Sequence, residues 1–310
     1  MIYTCTFAPS IDYTAYLPHF ESGALNRSEE VYYYPGGKGI NVSRVLSRLG
    51  LKSRALGYAG GFTGRFIEEF LDAEGIETDF IDTGAITRIN VKIKTDQETE
   101  LNGPGPVLKE AQLEQLKEKI AVMAQGDWFV LAGSLPSSVP TQFFKDLADR
   151  CQERGIHFVL DTSGPALKEL LDTKPFLIKP NEHELGEIFG VEITTQAQAF
   201  HYASLLVERG VQHVVVSMGG AGAIYASREH YYTAQVPKGK VVNTVGSGDS
   251  LVSGFIASYI QHQDPSKAFQ YGVASGSATA FRTDLCEQAD VEQLLPEVTV
   301  TPFEKKDVTK

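Results

Sequence analysis

Hydrophobic and polar residues change period along this chain in a regular alternation. Ile2 to Phe7 reads as a strand, and Val42, Val45, Leu46 and Leu49 then recur at helical spacing over 38–49 until Gly50 stops them. Ser53 to Ala59 predicts a strand, and Phe66, Ile67, Phe70 and Leu71 form one apolar stripe of a helix over 64–73. The alternation continues as helix 110–124 and strand 128–131, helix 140–153 and strand 156–160, helix 196–209 and strand 213–217. Strands separated by helices imply a mostly parallel sheet with helices on both faces, an α/β fold. Ligands of such sheets bind beyond the carboxyl ends of the strands, where Ala132-Gly133-Ser134, Asp161, Lys179-Pro180-Asn181 and Ser217-Met218-Gly219-Gly220 fall.

Two stretches break the rhythm. Residues 12–34 and 88–101 are rich in Tyr, Ile, Val, Thr and charge, as in Arg88-Ile89-Asn90-Val91-Lys92-Ile93-Lys94, the pattern of a half-exposed strand. No internal repeat, low-complexity tract or linker sets them apart, so they read as an excursion from one α/β domain spanning 1–310.

Charge narrows the partners. The 310 residues carry 28 Lys and Arg against 39 Asp and Glu, a formal net charge of −11, which repels a polyanion over most of the surface and argues against nucleic acid. A small anionic substrate remains possible where cations concentrate in one pocket, and Arg27, Lys38 and Arg88 are candidates, Arg27 the weakest of them. Cys5, Cys151 and Cys286 are few and far apart, which fits buried thiols in a reducing compartment and offers neither a zinc spacing nor a redox pair. The N-terminus lacks a basic stretch ahead of an apolar run, and no segment approaches the ~20 apolar residues of a membrane helix. A cytoplasmic protein with no membrane partner is expected.

Two glycine clusters carry the candidate chemistry. Asn243-Thr244-Val245-Gly246-Ser247-Gly248-Asp249 runs into an apolar-periodic segment, Ser250 to Gln261, that predicts a helix. Glycines let consecutive N–H groups converge on an anion, and the helix adds the positive end of its dipole, so the turn reads as a phosphate cradle with a carboxylate base beside it. It can equally be a plain loop with Asp249 as N-cap. Pro35-Gly36-Gly37-Lys38-Gly39-Ile40-Asn41-Val42-Ser43 likewise opens a helix, with one lysine among its glycines.

On these two runs the chain resembles the ribokinase-like PfkB family of sugar kinases, whose signatures are Gly-Gly-x-Gly-x-Asn-x-Ser/Ala and Asp-Thr-x-Gly-Ala-Gly-Asp. Asn243 stands for the usual Asp and Ser247 for the usual Ala, while Gly246, Gly248 and Asp249 are unchanged. The Asn variant is similar to the branch that acts on sugar phosphates, and Thr244-Val245 leans towards its fructose 1-phosphate members. The resemblance spans essentially the whole chain. It implies ATP- and Mg²⁺-dependent phosphorylation of fructose 1-phosphate to fructose 1,6-bisphosphate, with tagatose 6-phosphate and then fructose 6-phosphate as alternative substrates. It further implies that 12–34 and 87–102 form a small β-sheet lid over the site, often pairing with its copy in a homodimer.

Residue by residue, the resemblance makes Asp249 the base and Gly246, Ser247 and Gly248 the anion hole. Asp12, Gly37, Lys38, Asn41, Arg88 and Ser134 fall to the sugar phosphate, with Lys38 and Arg88 for the phosphate it already carries. Lys179, Ser217, Gly219, Gly220, Gly222 and Gly248 fall to the nucleotide, and Glu184 to Mg²⁺ through water. Each has a plainer reading: Asn181 and Glu184 also make an approximate capping box, the 219–222 glycines a β-turn, and Ser134 a cap or turn. Two other classes remain. A nicotinamide oxidoreductase calls for G-x-G-x-x-G directly after the first strand, where Ala8-Pro9-Ser10-Ile11-Asp12 stands instead. A non-catalytic sugar-phosphate sensor on the kinase fold is expected to have lost the base or the anion hole, and both are present.

Overall fold

The structure is a computed structural model that describes residues 1–303. Its strands, in chain order, are β1 (Ile2–Thr6), β2 (Ser10–Tyr16), β3 (Glu30–Gly36), β4 (Ser53–Ala59), β5 (Glu77–Asp82), β6 (Ile89–Lys94), β7 (Glu98–Leu101), β8 (Trp128–Ala132), β9 (His157–Asp161), β10 (Leu177–Ile178), β11 (His213–Ser217), β12 (Ala223–Ser227), β13 (Tyr231–Gln235) and β14 (Thr299–Pro302). Ten of them form the main sheet, in the order β14-β13-β12-β11-β10-β9-β8-β1-β4-β5. From β5 across to β11 every neighbouring pair is parallel. The last three strands add an antiparallel edge that the sequence pattern did not announce.

Period-two alternation places this sheet in the middle of the molecule. On β8, Phe129 and Leu131 enter one apolar cluster with Phe7, Leu56 and Phe144, while Trp128 and Val130 enter another with Val42, Val45 and Phe255. Each buried Phe or Leu contributes on the order of 1.5–3 kcal/mol, so covering both faces with helices is what the alternating strands demand. Chain order reverses at β1, which continues to β4 on one side and neighbours β8 on the other. A crevice at the carboxyl ends of strands is expected at such a switch point.

The interrupting stretches form a separate four-stranded sheet, β3-β2-β6-β7, in which β2 and β6 are parallel and the other pairs antiparallel. Elsewhere boundaries shift by a few residues. The helix expected at 64–73 begins at Gly61, and the strand that leads to Lys179 is short, Leu177–Ile178. The helix expected from Ser250 runs over Ser247–His262. Among the described residues no helix is long and apolar enough to cross a membrane.

Candidate active site

A cleft of about 1280 Å³ lies between the carboxyl ends of the parallel strands and the small sheet. Both glycine clusters open onto it. Gly37 precedes the helix Lys38–Arg48 with φ 120°, and a Cβ there would lie 2.6 Å from Thr6 Cγ2, so the chain crosses the end of β1 too closely for any side chain. Ile40 N–H donates to Thr6 Oγ1 at 3.1 Å and ties the helix start to that strand. At the second cluster Gly246 takes the cap position with φ 80°, and its Cβ would stand 2.5 Å from Leu285 Cδ2.

Asp249 is therefore not an N-cap. The helix starts at Ser247, which puts Asp249 in its first turn, 4% exposed. Of the three N–H groups expected to form an anion hole, that of Ser247 donates to Thr244 O at 3.2 Å. Gly248 and Asp249 stand in the first turn, where N–H groups have no intrahelical acceptor. Although the clusters lie far apart in sequence, they meet directly: Asn41 Nδ2 donates to Asp249 Oδ2 at 2.8 Å.

The electrostatics centre on two buried carboxylates and two lysines. Burial pushes the Asp249 carboxyl up to about 6, and the negative charge of Asp161 adds to the rise, while Lys38, Asn41 and Lys179 pull the other way. Burial also acts to raise Asp161, but Lys179 and Lys38 outweigh it and hold that carboxyl below the usual range. Asp161 Oδ1 is 3.2 Å from Lys38 Nζ and 3.7 Å from Lys179 Nζ. Lys38 in turn is raised above its ordinary value, chiefly by Asp161.

Asn181 and Glu184 form the reciprocal capping box. Glu184 N–H donates to Asn181 Oδ1 at 2.7 Å, and Asn181 N–H to Glu184 Oε2 at 2.9 Å. Both residues nevertheless line the cleft. Among the described residues no group of three or more Asp, Glu, His or Cys could hold a metal alone. One cleft-lining carboxylate suits Mg²⁺, which keeps several waters and takes its other ligands from phosphates. Ser217 ends β11, and Gly219, Gly220 and Gly222 turn the chain into β12, all on the cleft wall.

On the small sheet the structure adds residues that the sequence reading did not nominate. Asp12 accepts from Ser10 Oγ at 2.7 Å and Asn90 Nδ2 at 3.2 Å, and pairs with Lys92 Nζ at 3.2 Å. Arg88, Asn90 and Lys92 alternate with Ile89, Val91 and Ile93, and all three polar side chains line the cleft, so strict period two was the signal that could have found them. Arg88 donates through Nη1 to Gly103 O at 3.0 Å and through Nη2 to Ala8 O at 2.8 Å. Ser134 lines the cleft after β8 and caps nothing, since the next helix begins at Thr141 behind Pro140. Arg27 is exposed on the connection between β2 and β3, outside the lining.

Among the described residues the buried side-chain polar atoms without a partner are Arg88 Nε, Asp161 Oδ2 and Ser247 Oγ. Such atoms cost about 1–3 kcal/mol each, and all three belong to the cleft or to the carboxylate that holds its lysines, as expected of a site that a polar ligand completes.

The family model for the pfkB family carbohydrate kinases matches residues 5–291, and the chain belongs to that family. It is 50% identical to the 1-phosphofructokinase of Bacillus subtilis (strain 168), over 97% of this chain and 99% of that one. It is 36% identical to the D-tagatose-1-phosphate kinase of Bacillus licheniformis, again over 97% and 99%. Among solved structures, phosphofructokinase-2 from Escherichia coli in complex with fructose-6-phosphate superposes with a TM-score of 0.90 at 30% identity, covering 96% of this chain and 98% of that one.

Proposed function

We propose that this kinase transfers the γ-phosphoryl group of ATP to fructose 1-phosphate, giving fructose 1,6-bisphosphate and ADP. The observation that carries the reading is the 2.8 Å bond from Asn41 to a buried Asp249 at a helix N-terminus, which joins a lysine-bearing glycine turn to an anion cradle in one cleft. The 50% identity to a 1-phosphofructokinase supports fructose 1-phosphate as the sugar.

Phosphoryl transfer asks a protein mainly to align a hydroxyl with phosphorus, spread negative charge and accept one proton. Asp249 accepts the proton of the sugar's 6-hydroxyl, and Asn41 orients its carboxylate. The first-turn N–H groups of Gly248 and Asp249, with Ser247 Oγ, receive the charge of the transferred group. Lys179 carries the nucleotide phosphates, whose base and ribose lie along Ser217 and the 219–222 turn. Lys38 and Arg88 face the 1-phosphate, Asp12 and Ser134 the sugar hydroxyls, and the small sheet covers them as a lid on a single domain. Glu184 would hold Mg²⁺ through water, and the ion would supply neutralisation of part of the phosphates' charge.

The test is ADP release across fructose 1-phosphate, tagatose 1-phosphate, tagatose 6-phosphate, fructose 6-phosphate and fructose. Highest kcat/KM on fructose 1-phosphate is expected. Preference for a 6-phosphate would move the substrate assignment within the family, and no turnover on any of them would leave a sugar-phosphate sensor.

A further inference from the structure

One buried carboxylate, paired with two lysines of the cleft, has no part in the transfer described for this site. Asp161 ends β9, between β8 and β10, with its side chain 1% exposed. Its Oδ1 stands 3.2 Å from Lys38 Nζ and 3.7 Å from Lys179 Nζ, and its Oδ2 is buried without a partner. The two lysines reach it from unrelated places. Lys38 belongs to the first turn of the helix after the first glycine cluster, and Lys179 follows β10 and packs against the second cluster, where a Cβ on Gly248 would lie 2.9 Å from its Nζ.

We propose that Asp161 is a positioning residue of the transfer site, holding Lys38 and Lys179 in place beside Asp249 and keeping those two cations from pairing with the base. The inference rests on the kinase reading and deepens it. A lysine side chain has much rotamer freedom to lose, so two of them converging on one buried oxygen are ordered by it. Besides Asp161, both ammonium groups also act on Asp249. A carboxylate paired to an ammonium is a weak base, because the pair favours the charged form over the protonated one. The groups acting on Asp249 agree with this division. Burial and the charge of Asp161 raise its proton affinity, and Lys38 and Asn41 from one helix and Lys179 from the end of β10 lower it.

Asp161→Asn keeps the volume and removes the charge, and the measurement is kcat/KM for fructose 1-phosphate against pH. The wild type should lose activity as pH falls through about 6. In Asp161→Asn that acid limb should move down by about one pH unit, with the plateau lowered roughly tenfold as the base weakens. Lys179→Met should move the limb the opposite way, upward, and Asp161→Glu should return it to near the wild-type position. A lower plateau with the limb unmoved overturns the inference, since a purely structural role would act that way. If Asp161→Asn does not fold, an unmoved limb in Lys179→Met overturns it equally. A wild-type profile without a limb, or turnover retained in Asp249→Asn, would instead remove the base assignment and this inference with it.

Discussion

Asp249 is a carboxylate held out of water, with a proton affinity raised to about 6. As a base it must be ionised, so kcat/KM should climb with pH through about 6 and level off above it, losing about tenfold per pH unit below. The same value has a stability consequence of defined sign. The folded group binds its proton more tightly than at its ordinary value of 3.8, so above pH 6 the ionised form opposes folding, and that opposition fades as pH falls through about 6. Asp249→Asn should lower turnover by about two to four decades with sugar-phosphate binding kept, and should raise Tm at neutral pH, where the ionised carboxylate opposes folding. Near-normal turnover in the purified variant would refute the assignment. Phosphate recognition belongs to the same scale. Lys38 has a free-standing ammonium apart from its bond to Asp161, whereas both Nη groups of Arg88 already serve backbone carbonyls. Lys38→Met should reduce the preference for fructose 1-phosphate over fructose by about one to two decades, and Arg88→Met by less. Arg88→Met should also lower Tm, because it strips a donor from Ala8 O and Gly103 O. Equal loss of preference in the two variants would show that Arg88 gives up those carbonyls to bind phosphate.

The helix Ser247–His262 depends on how its first turn is entered. Gly246 has φ 80°, a region that costs an L-residue about 1–2 kcal/mol, and Leu285 fills the space where a Cβ would stand. Gly246→Ala should therefore cost both stability and the aim of the first-turn N–H groups, with turnover reduced at least tenfold by misplacement of the cradle. Leu285→Ala in the same chain should recover part of the turnover but not the backbone cost, because it relieves the contact and leaves φ unchanged. If the double variant is no more active than Gly246→Ala, the contact with Leu285 does not set the cradle.

For the molecule as a whole, the small sheet has one face in the cleft and another that water meets. Tyr33, Tyr13 and Val91 share that second face by register, and Tyr33 is 52% and neighbouring Ile89 42% exposed. We expect a homodimer in which these faces cover each other, as an apolar sheet face in water calls for a partner. Light scattering at micromolar concentration should give twice the chain mass, and Tyr33→Glu should return it to one; a fully active wild-type monomer would end that expectation. The sequence by itself determined the alternating layers and both glycine clusters, because hydrophobic period and the special backbone demands of glycine are local properties. The class of chemistry was legible through the resemblance of both glycine runs to the PfkB signatures, since Gly246, Gly248 and Asp249 alone also fit a plain loop. It did not show the antiparallel edge of β12, β13 and β14, whose pairings join distant segments, nor that Asp249 lies inside the helix and not at its cap, which Leu285 and Gly246 decide together. Asp161 was visible as a strand end and nothing more. Only the folded sheet brings it within reach of Lys38 and Lys179, and charges that meet through tertiary contact leave no periodic trace in a sequence.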